Sequence, residues 1–392
     1  MVKIKFRYLI ILGLMLSLAA PEAIAEDTNI SDTFPSIGRG VRPLGMGNAF
    51  LSMKVQDENA LFYNPATIRN FSNETKFTTG FLPAPVFEIN FEVITLVQDI
   101  LDFSDDLDNS SSDSGDVSTF EDFVDQSIGK FYSSEIRIPI FGVYNKFFAL
   151  SVISDNKLGV SFRNRAFPNF ELMAKSYSGI AVGGAYGVLC DTLTFGLAMK
   201  FLYAIENQQV ITISDILTDA LGQFGWSDWK RGLGIGVDLG VWYQFPDFDI
   251  GILDELQPTI AITYQDIGHT RFPLMNTSAG RPEHIPQSIS LGFGVHPTFG
   301  PVDMSFLVDF RELNRDSDFL MKLNIGVEAR FPKRYGFKPS VRVGLNQGYP
   351  TVGAGIEIWK LVWNVAFFGK EVGESTYSKG GYRFANEFTW RF

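Results

Sequence analysis

The chain has 392 residues, a formal net charge of −11 at pH 7 and one cysteine, Cys190. The excess of acidic residues argues against nucleic acid as a partner, and a single cysteine excludes an internal disulfide. After the N-terminal region, no stretch approaches the roughly 18 uninterrupted apolar residues of a membrane-spanning helix, which excludes a helical membrane protein.

The first 25 residues have the pattern of a secretory signal peptide. Three basic residues precede an apolar run over 8–20, and Ala23 and Ala25 have the small-x-small spacing of a cleavage site. The apolar run is too short for a membrane span of about 20 residues. We therefore expect export and cleavage after Ala25, with an uncleaved anchor as the alternative.

Residues 26–73 predict an irregular plug. The stretch from Gly38 to Ala66 is rich in glycine, its apolar residues are scattered, and an Asn-Pro step closes it. Glycine permits close backbone approach, and proline fixes its own φ angle. Such a segment suits a compact plug inside a larger structure, and an N-terminal linker with a few apolar anchors is the alternative. The candidate plug residues are Gly45, Met46, Gly47, Asn64, Pro65 and Ala66.

Residues 83–134 predict an acidic insertion with two short helices. Apolar residues recur at helical spacing over 93–101 and again over 120–128. Between Asp99 and Asp125 there are ten acidic residues and no Lys or Arg. The acidic spacing does not match a calcium-binding EF-hand loop, so we expect a solvated loop outside the cell.

From about residue 137 to the C-terminus, apolar residues alternate with small or polar ones. Such alternation gives each strand one apolar and one polar face. Many of these strands exceed the usual length of about 5 or 6 residues in soluble proteins and match the roughly 9–11 residues of a tilted membrane strand. The sequence therefore predicts an all-β fold, a transmembrane antiparallel β-barrel over 74–392. Its closing strand carries lipid-facing aromatic residues, namely Phe388, Trp390 and Phe392.

The predicted barrel has about fourteen strands. Twelve can be counted between residue 157 and the C-terminus, and residues 75–82 provide another. The region 137–153 is either one strand or a hairpin that turns at Asn145, and the even strand number of single-chain bacterial barrels favours one strand, followed by a turn at 154–156. An even number of strands puts both chain ends on the same side of the membrane, which we expect to be the periplasm. The segments expected outside the cell are 83–134, 166–176, 207–228 and 267–285.

The face opposite the apolar one carries charges of both signs in near balance. An open ion-selective pore would show a constriction of one sign, so balance favours a lumen filled in part by the plug and cross-linked by ion pairs. The alternative is a polar interior that is simply wet. The predicted lumen-facing charges are Lys200, Asp238, Asp303, Asp309, Arg311, Lys322, Glu328, Arg330, Arg342, Glu357, Arg383, Glu387 and Arg391.

No catalytic residues, metal ligands or cofactors are predicted. The three histidines, His269, His284 and His296, form no close metal-binding motif, although the first two share one loop. His296 lies on the inward side of its predicted strand and is expected to hydrogen-bond there. We therefore expect a protein that is not an enzyme.

Three short motifs in the plug, ahead of a barrel that ends on phenylalanine, resemble the N-terminal hatch of the FadL superfamily. They are Gly45-Met46-Gly47, the acidic turn over 56–59 and Asn64-Pro65-Ala66. The resemblance implies a fourteen-stranded, porin-like barrel that transports small hydrophobic molecules, fatty-acid-like or hydrocarbon-like, across the outer membrane of a Gram-negative-type bacterium. Partners implied are outer-membrane lipid, a hydrophobic ligand and the barrel-assembly machinery.

The same three motifs are equally similar to the hatch of PorV-type proteins, which belong to the same superfamily. That resemblance implies the alternative function of an outer-membrane binding or assembly protein that acts in protein secretion.

Overall fold

The computed structural model describes residues 37–55, 57–80, 86–90, 131–163, 169–212, 228–246, 251–275, 277–371 and 380–392. The predicted signal peptide and most of the predicted acidic insertion lie outside these residues. Within the described ranges, no helix has both the length and the apolar character that a membrane span requires.

The described residues form sixteen strands and a few short helices. The strands are β1 (Lys76–Gly80), β2 (Val86–Asn90), β3 (Phe131–Tyr144), β4 (Phe148–Arg163), β5 (Asn169–Val188), β6 (Leu193–Thr212), β7 (Lys230–Gln244), β8 (Thr259–Gln265), β9 (Ser288–Val295), β10 (Thr298–Phe299), β11 (Val302–Phe310), β12 (Leu323–Arg330), β13 (Phe337–Asn346), β14 (Tyr349–Ile358), β15 (Leu361–Glu371) and β16 (Gly380–Arg391). The helices are α1 (Val41–Leu44), α2 (Ala60–Tyr63), a 3-10 helix (Pro65–Asn70), α3 (Gly251–Leu256) and α4 (Phe319–Lys322).

These strands close into an antiparallel barrel with fourteen strand positions. Strands β1 and β2 share one position, because both pair with β16 on one side and with β3 on the other. The two-residue strand β10 pairs with β11 outside the ring. The remaining strands pair in sequence order, each antiparallel to the next. The predicted all-β barrel of fourteen strands is therefore confirmed.

The alternation of side chains explains why these sequences form barrel strands. In β7, Leu233, Ile235 and Leu239 are exposed on the outer face, whereas Asp238 and Trp242 are buried on the inner face. A soluble sheet buries its apolar face, and a barrel in lipid exposes it. The apolar outer surface is thus the expected lipid contact, and the inner face is left for polar and small residues.

The interpretation of 137–153 as one strand is wrong. This region is the β3–β4 hairpin, and Asn145 makes the turn because its side-chain oxygen accepts hydrogen bonds from the backbone N–H groups of Phe147 (2.8 Å) and Phe148 (3.0 Å). The turn predicted at 154–156 lies within β4. Its polar residues have partners there: the hydroxyl of Ser154 bonds that of Ser178 at 2.8 Å, and the carboxylate of buried Asp155 lies 3.4 Å from the guanidinium of Arg137.

Several predicted boundaries also need correction. The bounds 83–134 predicted for the acidic insertion are too wide, because β2 and the start of β3 lie within that range and pair with each other. The loops predicted at 166–176 and 207–228 are shortened in the same way by β5 and β6, which pair along their full length. The number of strands is unaffected, because the strand predicted to start at 157 is the second part of β4.

The ring closes between the first and last strands. The backbone N–H of Phe392 donates to the carbonyl of Phe77 at 2.8 Å, and the N–H of Phe77 donates to the carbonyl of Phe392 at 3.2 Å. On the outer face, Trp390 stacks on Phe392 with ring centroids 5.9 Å apart. The C-terminal residue therefore contributes two backbone hydrogen bonds and an aromatic contact to closure. We call the end of the barrel where β1 starts and β16 ends the terminus end, and the opposite end the loop end.

Deleting Phe392 is expected to reduce assembly of the barrel into membranes severely, because both hydrogen bonds and the stacking contact are lost where the ring closes. Membrane fractionation and heat-modifiable electrophoretic migration measure this. Phe392→Leu, which keeps the backbone pairing, is the control and should assemble nearly normally. Normal assembly of the deletion variant would contradict a role for this residue in closure.

Candidate functional site

Residues 37–70, hereafter the N-terminal segment, pack against the inner face of the barrel. Helix α1 contacts β14, β15 and β16, and the 3-10 helix contacts β5, β6 and β7. These two groups of strands lie on nearly opposite sides of the ring. Since the strands form a closed ring, a segment that contacts the inner faces of both groups crosses the interior. Most of its side chains are buried, including Met46, Phe50 and Tyr63.

The glycines of the segment allow its backbone to touch the barrel wall. Gly47 has a φ angle of +63°, its N–H donates to the hydroxyl of Thr351 at 2.9 Å, and its carbonyl accepts from the side chain of Asn324 at 2.8 Å. A Cβ added there would overlap the carbonyl oxygens of Ile325 and Leu345. Only glycine combines this φ angle with such close approach.

The Asn-Pro-Ala motif fastens the other end of the segment. The side-chain oxygen of Asn64 accepts from the N–H of Ala66 at 3.0 Å and caps the 3-10 helix, which begins at Pro65. The side-chain nitrogen of Asn64 donates to the carbonyls of Leu51 (3.0 Å) and Val241 (3.3 Å). One asparagine thus connects two turns of the segment to strand β7.

Charged side chains join the segment to the wall near the terminus end. Arg42 donates from Nε to Glu328 at 2.9 Å and from Nη1 to Asp57 at 2.8 Å, and Arg342 contacts Glu328 at 2.8 Å. Burial alone would raise the pKa of Asp57, but the charges of Arg42 and Arg391 outweigh it and hold that pKa below its usual value. We call Arg42, Asp57, Glu328, Arg342 and Arg391 the ionic cluster. It borders a cavity of about 460 Å³ at the terminus end.

An apolar cluster occupies the other side of the interior. Phe272 and Ile285, from the loop between β8 and β9, are buried together with Leu61 and Phe62 of the segment and with Tyr177 of the wall. The rings of Tyr177 and Phe272 lie 6.1 Å apart. Apolar side chains therefore line the inner wall from the loop end to the N-terminal segment. The interiors of open, water-filled barrels are usually polar, so this cluster distinguishes the present barrel from them.

The β8–β9 loop is held in place over the apolar cluster. The N–H of Ile267 donates to the carbonyl of Val237 at 2.9 Å. The ammonium group of Lys200 lies between two carboxylates, 3.0 Å from Asp238 on the wall and 2.8 Å from Asp266 on the loop. This buried ion pair fixes the loop against the inner face of the barrel.

Comparison with known proteins finds similarity at the level of structure. No protein-family model matches the chain, and no curated protein matches it in sequence. The CymD monoaromatic hydrocarbon channel aligns with a TM-score of 0.50 at 12% identity over 92% of this chain and 98% of that chain. The TodX deltaS2S3 mutant monoaromatic hydrocarbon channel aligns with a TM-score of 0.52 at 11% identity over 90% and 98%. The chain therefore has the fold of these two channels, a closed antiparallel β-barrel. At such low identity the likeness establishes the fold alone.

The six candidate plug residues all contact the wall of the barrel. Gly45 lies against Gly353 of β14, Met46 against Gly326 of β12, and Pro65 and Ala66 against Gly196 of β6. Together with Gly47 and Asn64, they fall at the two places where the segment approaches the strands most closely.

The predicted lumen-facing charges separate into three groups. One group is buried: Lys200, Asp238, Asp309, Arg311, Glu328, Arg342, Arg383 and Glu387. A second group is half-buried: Arg330, Glu357 and Arg391. Asp303 is exposed, 3.5 Å from Arg330, and Lys322 is not on a strand, because it ends α4 and donates to the carbonyl of Arg315 at 2.6 Å. Asp309 has the most direct role, since it accepts the N–H groups of Phe50 (2.6 Å) and Leu51 (2.9 Å).

The sequence analysis missed a second set of buried charges inside the barrel. Arg137 forms ion pairs with Glu135, with Glu88 at 3.4 Å and with Asp155 at 3.4 Å, and Arg383 contacts Glu88 at 2.6 Å. The misplaced turn at 154–156 and the overlong insertion concealed them. The alternation of Glu135 and Arg137 with isoleucines in β3 was the signal that could have identified them.

The histidines and the cysteine do not form a metal site within the described residues, where no group of three or more His, Cys, Asp and Glu side chains is arranged to hold a metal ion. The rings of His269 and His284 pack edge to face, 5.0 Å apart. Buried His296 hydrogen-bonds Thr259 and Ser305, each at 3.1 Å, as predicted from its inward position. Cys190 is exposed.

Replacing Arg42 with Met is expected to destabilise the protein by about 3 kcal/mol, because it breaks a buried ionic cluster by removing one partner. Both carboxylates keep a second cation nearby, Arg342 for Glu328 and Arg391 for Asp57, which limits the loss. Calorimetric unfolding of the purified protein measures the effect. Arg334→Met, at an exposed arginine, is the control and should leave stability unchanged. Equal stability of both variants would contradict a stabilising role for the cluster.

Proposed function

We propose that this protein is an outer-membrane channel for small hydrophobic molecules, fatty-acid-like or hydrocarbon-like. The observation that carries the proposal is the apolar cluster, which runs along the inner wall from the loop end to the N-terminal segment. A passage for ions has no need of apolar side chains there, whereas the free energy of a hydrophobic molecule falls when it moves from water to an apolar surface. The two channels with the same fold are named for monoaromatic hydrocarbons.

In this proposal, residues 26–73 act as the plug. The N-terminal segment crosses the ring and is held by the ionic cluster, Asp309, Gly47 and Asn64. These contacts come from strands on several sides of the ring, so the segment closes the direct path for water and ions. A hydrophobic molecule would then reach the segment along the apolar cluster.

The proposal includes export and orientation. A signal peptide over residues 1–25 would deliver the chain to the outer membrane, where the barrel-assembly machinery would insert it. The strands would then cross the membrane, and their exposed apolar faces would contact the lipid. With an even number of strand positions, both ends of the barrel region lie on one side, which we place in the periplasm.

Phe272→Asp tests the apolar cluster. A carboxylate there is expected to lower passage of a neutral hydrophobic probe by about tenfold, which corresponds to about 1.4 kcal/mol. The probe is toluene, measured by uptake into proteoliposomes that contain the full-length protein. Met275→Asp is the matched control, because it adds the same charge to the same loop at an exposed position outside the cluster.

Two outcomes of this experiment decide the proposal. A large loss for Phe272→Asp with normal uptake for Met275→Asp would support a hydrophobic path along the cluster. Equal uptake by wild type, both variants and protein-free vesicles would contradict a channel function, and the binding or assembly role in secretion would then be the better hypothesis.

A further inference from the structure

We propose that Arg39 and Arg311 form a binding site for a small carboxylate anion in the interior of the barrel. Arg39 belongs to the N-terminal segment, and Arg311 directly follows β11 at the loop end. Both guanidinium groups lie over the ring of Tyr63, with their central carbons 5.1 and 5.3 Å from its centroid. Two cations from distant parts of the chain therefore meet at one aromatic ring.

These two arginines have few partners for their donors. Arg39 is 6% exposed, and among the described residues it makes no hydrogen bond and no ion pair. Arg311 is 5% exposed and donates one bond of 3.4 Å to the carbonyl of Asn48, while its Nε has no partner in that part of the chain. Buried charges are normally paired, because removing an unpaired charge from water costs several kcal/mol.

The other buried arginines of the interior differ from this pair. Arg42, Arg137, Arg342 and Arg383 each lie within ion-pair distance of at least one carboxylate. Glu312 and Asp309 are close enough to attract Arg39 and Arg311, respectively, but their carboxylates bind other groups. Glu312 contacts Arg315 at 2.7 Å, and Asp309 accepts two backbone N–H groups of the N-terminal segment. The interior therefore pairs most of its arginines and leaves these two available to a ligand.

The electrostatics favour an anion at this position. Burial, and then the positive charge of Arg311, lower the pKa of Arg39 to about 10. The two like charges, held at one aromatic ring, repel each other. A bound anion would reverse this by attracting both guanidinium groups at once, and its own cost of leaving water would be offset by their unused N–H donors.

The geometry points to a carboxylate in particular. The planar fork of a guanidinium group matches the two oxygens of a carboxylate, and a single negative charge is cheaper to desolvate than a double one. The hydroxyl of Tyr63 already donates to the side chain of Asn48, so it does not compete for the anion as a donor. Phe50 packs edge to face on Tyr63 at 5.3 Å and makes the surroundings partly apolar. The carboxylate can be a free small anion or the head group of a longer acid.

This site adds to the proposed channel function, because a hydrocarbon-like molecule needs no cation, and it rests on that function where the carboxylate belongs to a fatty-acid-like molecule. The test is isothermal titration of the full-length protein, purified in detergent, with acetate, benzoate and octanoate, and with toluene as the neutral reference. We expect a carboxylate to bind to the wild type and the affinity to fall at least about tenfold in Arg39→Gln, because half of the site is lost. Arg39→Lys, which keeps the charge without the fork, should lose less.

The matched control is Arg334→Gln. The guanidinium of Arg334 also lies over a tyrosine ring, that of Tyr335 at 5.2 Å, but it is exposed. Its replacement should leave carboxylate binding unchanged. Arg311→Gln provides a second variant should Arg39→Gln not fold, and heat-modifiable migration reports folding for each protein.

The outcomes separate the ligand sources and the two hypotheses. Binding of acetate would identify the ligand as a free small carboxylate. Binding of only benzoate or octanoate would identify it as the head group of a longer acid. Either result supports the site. Chloride binding as tightly as any carboxylate, or carboxylate binding unchanged in Arg39→Gln, would overturn it. Toluene uptake into proteoliposomes should stay normal in Arg39→Gln, so a failure here leaves the channel proposal standing.

Discussion

Deleting residues 38–66 is expected to raise the single-channel conductance of the barrel several-fold. This stretch makes most of the contacts that cross the ring, from strand β7 at Asn64 to strand β16 at Val41, whose N–H donates to Glu387 at 3.2 Å. The strands themselves pair with their neighbours around the whole ring and do not depend on the segment for backbone hydrogen bonds. The deletion should therefore leave a folded barrel with a wider aqueous path, measured in planar bilayers.

The full-length protein, reconstituted in parallel, is the control for this deletion. The inner charges that the segment now covers, such as Asp309 and Glu328, would become hydrated, which keeps the open barrel stable. Heat-modifiable migration should show that the deletion variant is folded. A folded variant with unchanged conductance would show that the segment does not block passage and would contradict its role as the plug.

Replacing Gly47 with Val is expected to displace this part of the segment from the wall at a cost of about 3 kcal/mol or more. The φ angle of +63° strains any β-branched residue, and the new Cβ would overlap two wall carbonyls, those of Ile325 and Leu345. Neither carbonyl can move far, because both belong to paired strands. We expect a folded, membrane-inserted protein in which toluene uptake is altered and the segment becomes accessible to added protease.

Gly300→Val is the matched control for Gly47→Val. Gly300 has a φ angle of +60°, and no atom lies within 4 Å of its added Cβ. The control therefore carries the same backbone strain without the steric overlap, and it lies in the turn between β10 and β11. Equal protease sensitivity of the segment in both variants would show that close contact between Gly47 and the wall is not what holds it.

The sequence alone was sufficient to predict the barrel and the number of its strand positions. In a strand, successive side chains point to opposite faces, so the lipid-facing residues of β7 or β16 can be read from local spacing without any knowledge of partners. The sequence also singled out Gly47 and Asn64, because glycine and Asn-Pro steps have conformational preferences of their own. Their contacts with the strands could not be read in the same way.

The position of the first hairpin was decided by tertiary contacts. Asn145 and Asp155 both lie in polar stretches that suit a turn, and local preference does not separate them. The turn forms at Asn145, because Asp155 lies within a strand, where it is buried and forms an ion pair with Arg137 on the neighbouring strand. A polar residue within a strand is stable only where a partner faces it, and that partner is known only once the strands are paired.

The pairing of inner charges likewise depended on closure of the ring. Alternation predicted that Glu328 faces inward, but its partner Arg42 lies 286 residues away in the sequence and belongs to no strand. The same holds for Arg39 and Arg311, which come together at Tyr63 only because the N-terminal segment crosses the barrel. The direction of a side chain on a strand is a local property. The group that it meets inside a barrel depends on how the whole chain folds around that interior.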